Sequence, residues 1–442
     1  MKVKVPPTPL MCRALRGFGV WRVVTALLLA LTNLPLAIAQ NQSAAIEQYN
    51  RANVLLKEGD LAGAQLEIEK VLKEFPNVPE ALNLAGIISD VQGEHQRAID
   101  YFKRALSVRS NYFDARSNLA YSYSETKQYE RGLLEFEEVL KGAPRHVGAN
   151  LGLAQTLYKT GRFADALKAV NHTLTLSPEN PDALLLAVKV KFQLKHVEEA
   201  VESGRKFRLM FSENGPQLAA LGVVLLDNGQ YADAIQVLKQ AAALEGRDAD
   251  VLHSLGLSYA LSRKLNEAKS VFAKSIQVNP ERAEGYLLLG LCYEMEGEFQ
   301  KSSEQLRKAL AINPSDSEAA LHLGICLYKQ GVAKDAWRSF EQALARQPNS
   351  IDALYYEALI RFDQKDYQHS RSLLSRVLEI NPDHLGANFK LAQIYLKLGD
   401  KGESTKYLKT FDELNSESAR RAAANPRIYA GSDNQISFFE QK

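Results

Sequence analysis

Small and large apolar residues recur along this chain at one fixed interval. Counted from Ala45 in blocks of 34 residues, eleven blocks fit without an insertion or deletion and end at Ser418. Position 20 of the block is small throughout, from Ala64, Ala98 and Gly132 to Ser302, Ser370 and Ser404. Position 8 is Gly or Ala in ten blocks, Val188 being the exception. Position 24 is large and apolar in ten, among them Ile68, Phe102, Phe136, Leu238, Phe272 and Phe340. Position 32 is proline in seven: Pro76, Pro144, Pro178, Pro280, Pro314, Pro348 and Pro382. The pattern predicts two amphipathic helices of about 13 residues per block, the second closed by proline. Small residues at 8 and 20 let the paired helices cross closely, and large residues at 24 fill the next layer. A single hairpin of this kind cannot bury both faces, so neighbours must stack. Length alone would suggest three domains of roughly 150 residues; the period replaces them with one continuous array over residues 45–418.

These columns, with Leu at position 7 and Tyr at position 11 in many blocks, resemble the tetratricopeptide repeat. Block eight carries the pattern well, with Leu289, Gly290, Tyr293, Gly297, Leu306, Ala309 and Pro314. The resemblance implies an all-α fold, an α-α superhelix of helix-turn-helix units. It implies that the first helix of each block lines a concave groove. It implies binding of protein or peptide, and no chemistry of its own. Block five departs, with Val188 at position 8, Lys191 at 11, Gly204 at 24 and Ser212 in place of the closing proline. Either it is a drifted repeat that still stacks, or Gly204 leaves its layer underfilled and makes a pivot there.

By the same resemblance, positions 5, 9 and 12 face the groove. From block six onward they are mostly apolar: Val223, Leu226, Leu257, Leu287, Leu291, Leu321, Ile325, Tyr328, Tyr355, Leu359, Phe362 and Phe389. Earlier blocks are mixed, with Asn53, Asn83, Tyr121, Gln155, Lys189 and Phe192. The apolar row is expected to receive an amphipathic helix or an extended peptide. The other way to bury it is packing against neighbouring turns or a second copy of the chain. Position 2 is acidic in seven blocks, as expected where a carboxylate meets the positive end of a helix dipole. No block has a basic residue there. Family members that clamp a partner's terminal carboxylate use a lysine at that position, so the resemblance gives no such clamp here.

Charge changes the picture at one end. The chain has 54 basic and 52 acidic residues. Residues 1–39 hold Lys2, Lys4, Arg13, Arg16 and Arg22 and no acid; without those five, 49 basic residues stand against 52 acidic ones. An apolar run from Val23 to Leu36 follows, then Leu36-Ala37-Ile38-Ala39-Gln40. Basic residues, a short apolar run and small residues before a cut are the marks of an export signal, cleaved here between Ala39 and Gln40. Asn33 and Pro35 interrupt the run, which makes it poor as a membrane span. The expected product is secreted or periplasmic, with no integral membrane span; the alternative is a chain tethered by an uncleaved signal. The slight acidic excess of the remainder argues against nucleic acid as a partner.

Candidate chemistry is sparse. No His-Glu-x-x-His, phosphate-binding glycine loop, Gly-x-Ser-x-Gly or Cys-x-x-Cys occurs, and no histidines pair at metal-ligand spacing. No catalytic residue, cofactor or metal is assigned. Ser124-x-x-Lys127, Lys159-Thr160-Gly161 and Ser432-Asp433-Asn434 match the three short motifs of penicillin-recognising serine enzymes, but in the wrong order. Cys292 and Cys326 both stand at position 10 of adjacent blocks. Equivalent atoms of stacked helices lie about 8–10 Å apart, beyond disulfide reach, so two buried free thiols are expected. Ala419 to Ala424 can extend a capping helix, stopped at Asn425-Pro426. The residues after it read as a tail, with Ile436, Phe438 and Phe439 able to dock into a groove.

Overall fold

A computed structural model describes residues 36–424, with side chains from 43 to 417. Residues 1–35 of the export signal expected at 1–39, and the tail from 425, lie outside the described residues. Those described form 22 α-helices and no strand. The chain divides into two compact units, residues 1–210 and 211–442, and the division falls at the end of block five's second helix.

The first unit contains five helical hairpins: Leu36–Glu58 with Leu61–Glu74, Pro79–Val91 with His95–Val108, Phe113–Glu125 with Tyr129–Gly142, Val147–Lys159 with Phe163–Leu176, and Pro181–Gln193 with Val197–Met210. The second contains six: Gly215–Asp227 with Tyr231–Leu244, Ala249–Leu261 with Leu265–Val278, Ala283–Met295 with Phe299–Ile312, Ser317–Lys329 with Ala333–Arg346, Ile351–Asp363 with Tyr367–Ile380, and Leu385–Lys397 with Lys401–Ala424. From block two onward every first helix begins at position 1 of its block. The expected cut between Ala39 and Gln40 falls within the first turns of Leu36–Glu58.

One turn repeats in all eleven blocks. Position 15 has a positive φ, between 57° and 86°, throughout. Seven of these residues are glycine, which enters this left-handed region freely; Lys127, Lys195, Arg263 and Lys365 are the others. Each time, the N–H at position 16 donates to the carbonyl at position 11, as from Glu94 to Ser89 and from Val332 to Leu327. That bond satisfies a carbonyl left over at the helix end and reverses the chain in three residues.

The columns pack as their sizes require. A Cβ added to Gly86 would lie 2.4 Å from Phe102, and one added to Gly256 2.4 Å from Phe272. Position 8 therefore sits directly on position 24 of its own hairpin. Block five reverses the sizes: fully buried Val188 stands at position 8 and buried Gly204 at position 24. Lys191 of the same block donates to Ser203 Oγ at 2.8 Å. Between hairpins, Leu374 and Val377 (positions 24 and 27 of block ten) cluster with Ala387, Leu391 and Ile394 (positions 3, 7 and 10 of block eleven). The surface left by one second helix thus receives the next first helix.

Candidate functional site

In the second unit, the row at positions 5, 9 and 12 separates into two classes. Val223 and Phe389 are exposed, and Leu226, Leu321, Ile325, Tyr328, Tyr355, Leu359 and Phe362 are half-buried. Leu257, Leu287 and Leu291 are 4%, 0% and 2% exposed, so they are core and not available to a partner. The first helices of blocks eight and nine touch, as do those of nine and ten.

The surface that remains is richest at blocks nine to eleven, and it is aromatic. Tyr328 meets Tyr356 edge-on at 5.6 Å, and Tyr355 meets Tyr356 at 5.8 Å and the His384 ring at 4.8 Å. Phe362 packs on Tyr367 at 5.5 Å, and Phe389 on Phe411 at 5.0 Å. The Lys390 ammonium stands 4.3 Å from the centre of the Phe362 ring, a cation–π contact. Gly386 makes room for Tyr355, whose hydroxyl oxygen would lie 2.5 Å from a Cβ placed there. Burial pushes the Tyr356 hydroxyl up to about 12, and raises Tyr355 and Tyr328 as well, so all three remain neutral donors near neutral pH. Tyr356 and Lys390 occupy position 6, which sequence reasoning left aside. The signal was present in that column, where His322, Tyr356 and Lys390 follow one another in blocks nine to eleven.

His322 itself is buried, and its Nδ1 lies 2.9 Å from Glu294 Oε2, a carboxylate of the preceding block. Burial pulls the imidazole pKa down, but the Glu294 charge and hydrogen bond outweigh it and raise the value. Cys326, one turn further on, donates to Ser302 Oγ at 3.1 Å. Both Cys292 and Cys326 are buried free thiols, pushed up to about 12 chiefly by burial, and hence poor nucleophiles. Among the described residues, no group of three or more His, Cys, Asp or Glu side chains is placed to hold a metal ion. No described helix is long and apolar enough to cross a membrane.

In the first unit the corresponding faces are mixed, and several polar side chains of the first helices are tied together. Asn118 Nδ2 donates to Asn83 Oδ1 at 3.0 Å, Ser122 Oγ to Asp90 Oδ2 at 2.5 Å, and Lys159 Nζ to Glu125 Oε1 at 2.8 Å. Ser124 and Thr156 share a buried hydrogen bond of 2.8 Å. Ser124 is therefore occupied structurally and Lys127 lies in the position-15 turn, while Ser432-Asp433-Asn434 lies outside the described residues. The acidic position 2 falls in the first turn of its helix in all seven blocks. Several of these carboxylates also pair locally, Glu80 with Arg109 at 2.7 Å and Asp250 with Arg282 at 2.5 Å.

Comparison with known proteins agrees with this architecture. Tetratricopeptide repeat profiles match residues 49–112, 117–181, 153–217, 219–277 and 327–384, with two further ones at 283–316 and 361–424. The chain belongs to the tetratricopeptide repeat family. Among curated relatives it is 23% identical over 244 residues to a TPR repeat-containing protein of Methanocaldococcus jannaschii, covering 52% of this chain and 42% of the other. It is 24% identical over 203 residues to anaphase-promoting complex subunit 3 of Schizosaccharomyces pombe, covering 46% and 30%. The chain thus spans less than half the length of these relatives. Among solved structures, YrrB, described as a TPR protein with an unusual peptide-binding site, is 21% identical with a TM-score of 0.37, covering 42% of this chain and 95% of that one.

Proposed function

We propose that this protein is an exported, non-catalytic scaffold that captures a protein or peptide segment on the first-helix row of blocks nine to eleven. The observation that carries the reading is the run of Tyr328, Tyr355, Leu359, Phe362 and Phe389. These are all apolar or aromatic, all reach the surface, and all stand at positions 5, 9 or 12 of adjacent first helices. Rigid rings cost little conformational entropy on binding and supply large contact area, which is why aromatic side chains dominate binding hot spots. Lys390 and the Tyr328 hydroxyl add polar points at the edge of the row. A segment with apolar residues at helical or alternate spacing matches this surface.

The test is selection of peptides from a random display library on the full chain, followed by affinity measurement. Changing Tyr328, Tyr355 and Phe362 to serine lowers affinity for the selected peptides at least tenfold while circular dichroism is unchanged. Equal affinity in the triple variant overturns the reading. A second reading has the protein as the non-catalytic subunit of a larger assembly, as its likeness to a named complex subunit suggests. A stable co-purifying chain bearing its own catalytic motifs favours that reading over the first. Export is tested separately: the N-terminal residue of protein recovered from its native source is Gln40 if the signal is cleaved, and Met1 if it is retained as a tether.

A further inference from the structure

The chain supplies its own cations to many of its rings. In the second unit Lys308 stands over Tyr286, Lys269 over Tyr293, Arg371 over Tyr395 and Lys406 over Tyr407, at 5.1 to 5.9 Å. Arg361 stands over Trp337 at 5.0 Å, and Lys390 over Phe362. The half-buried cluster of Tyr328, Tyr355 and Tyr356 is different. Among the described residues, no lysine or arginine stands over any of its three rings. Carboxylates stand at its two ends instead. Asp352 is three residues before Tyr355 and four before Tyr356, so all three share one side of the helix Ile351–Asp363. Asp363, at the other end of that helix, accepts a long hydrogen bond from the Tyr328 hydroxyl at 3.5 Å. After burial, Asp352 is the next cause of the raised Tyr356 pKa, and Asp363 of the raised Tyr328 pKa. Asp352 is half-buried and Asp363 exposed, and among the described residues neither pairs with a lysine or arginine. They lie about 16 Å apart along the helix axis, so the rings between them sit in the field of both. His384, whose ring lies beside Tyr355, is pushed toward its neutral form by burial and adds little opposing charge.

We infer that the tyrosine cluster receives a cationic side chain, a lysine or arginine of the captured segment, with Asp352 and Asp363 supplying the countercharge. This role rests on the capture proposed above and adds the charge of the anchor. The face of an aromatic ring is the negative part of its quadrupole, so a cation is drawn to it. The attraction grows when the cation is shielded from water, as it is between half-buried rings. Lysine and arginine also carry long apolar stems, which suit the apolar row beside the cluster. Lys390 already occupies the Phe362 ring, and its charge turns a second cation away from there and toward the tyrosines. An acidic segment meets Asp352 and Asp363 as like charges and is rejected.

The test probes the full chain with short synthetic peptides that carry apolar residues at random and one fixed central residue. That residue is lysine, arginine or norleucine, the last having the stem without the charge. Affinities are measured by fluorescence anisotropy. The best lysine or arginine peptides bind about tenfold more tightly than their norleucine counterparts, and the difference shrinks as salt is raised. Asp352→Asn with Asp363→Asn removes most of that preference and leaves norleucine binding and circular dichroism unchanged. Tyr355→Leu, which keeps apolar contact and removes a ring, lowers the preference as well. Equal affinity for norleucine and basic peptides, with both lost when Tyr328, Tyr355 and Phe362 are changed to serine, overturns this inference and leaves the capture standing. A preference that survives in the aspartate and Tyr355 variants places the cation elsewhere and also overturns it. Binding of no peptide overturns both proposals, as does a row covered by a second copy, seen as a sedimenting dimer that the peptides do not dissociate.

Discussion

The two units build the same hairpin and fill the contact between successive first helices with opposite chemistry. In the first unit, side chains of adjacent blocks meet through hydrogen bonds: Asn83 with Asn118, Asp90 with Ser122, Ser124 with Thr156. In the second, the same faces carry Leu257, Leu287 and Leu291, and then an aromatic row that remains partly open. A hydrogen bond between neutral groups adds only about 1 kcal/mol net, yet leaving one partner buried alone costs about 1–3 kcal/mol. The polar contacts therefore specify which side chains meet more than they stabilise. Leucine contacts stabilise without such pairing, and they leave spare apolar surface wherever a ring projects past its neighbour. The hairpin is a constant, and the face of its first helix is the part free to acquire a function.

The largest test of this contrast is a buried polar pair inside the apolar unit. Glu294→Ala leaves His322 buried without its carboxylate and costs the second unit about 3–5 kcal/mol in urea unfolding. A cost below about 1 kcal/mol would show that this pair is as dispensable as a surface ion pair. Next, Leu287→Ala removes fully buried atoms and costs about 2–5 kcal/mol. In the first unit, Ser124→Ala or Thr156→Val alone costs about 1 kcal/mol, because the remaining hydroxyl loses one bond and keeps the one to its backbone carbonyl. The double variant returns close to the parent, since both polar groups are gone. A double-mutant cycle with no coupling would break the comparison.

A smaller effect should be equal in both units, because the turn is shared. A side chain in the left-handed region costs about 1 kcal/mol relative to glycine. Lys195→Gly in the first unit and Arg263→Gly in the second each raise stability by about that amount, measured by thermal unfolding. A gain confined to one unit would mean the turns are not equivalent.

The last prediction is one of sign. His322 has a raised folded pKa, so its contribution is complete below the ordinary imidazole value near 6.5 and is lost as pH rises through the folded value. His384 has a lowered one, chiefly from burial, and its Nδ1 accepts from the Ala387 N–H at 3.0 Å. Its contribution is complete above about 6.5 and is lost as pH falls through the folded value. His384→Asn keeps a capping acceptor that does not titrate and flattens the acid side of the melting profile; His322→Gln flattens the alkaline side. Identical profiles for both variants would refute the opposed signs.

Much of this was legible in the columns. Gly86 over Phe102 and Gly256 over Phe272 follow from a small residue at 8 facing a large one at 24. The free thiols follow from the 34-residue separation of Cys292 and Cys326. The position-15 turn was also in the sequence, as seven glycines at one position, but Lys127, Lys195, Arg263 and Lys365 hid it. The site was less legible. Leu257, Leu287 and Leu291 carry the same residue type at the same positions as Leu321 and Leu359, and nothing along the chain separates covered leucines from open ones. Glu294 with His322, and Asp90 with Ser122, join residues of different blocks that no local pattern pairs.

The sequence by itself determined the hairpin, its length, its turn and its stacking, because these depend on size and backbone freedom at positions repeated eleven times. The tertiary structure alone decided which apolar side chains are core and which are surface. It also decided that Val188 and Gly204 are both buried and that Leu408 is exposed. Exposure is a property of what lies against a residue, and that neighbour comes from a different block.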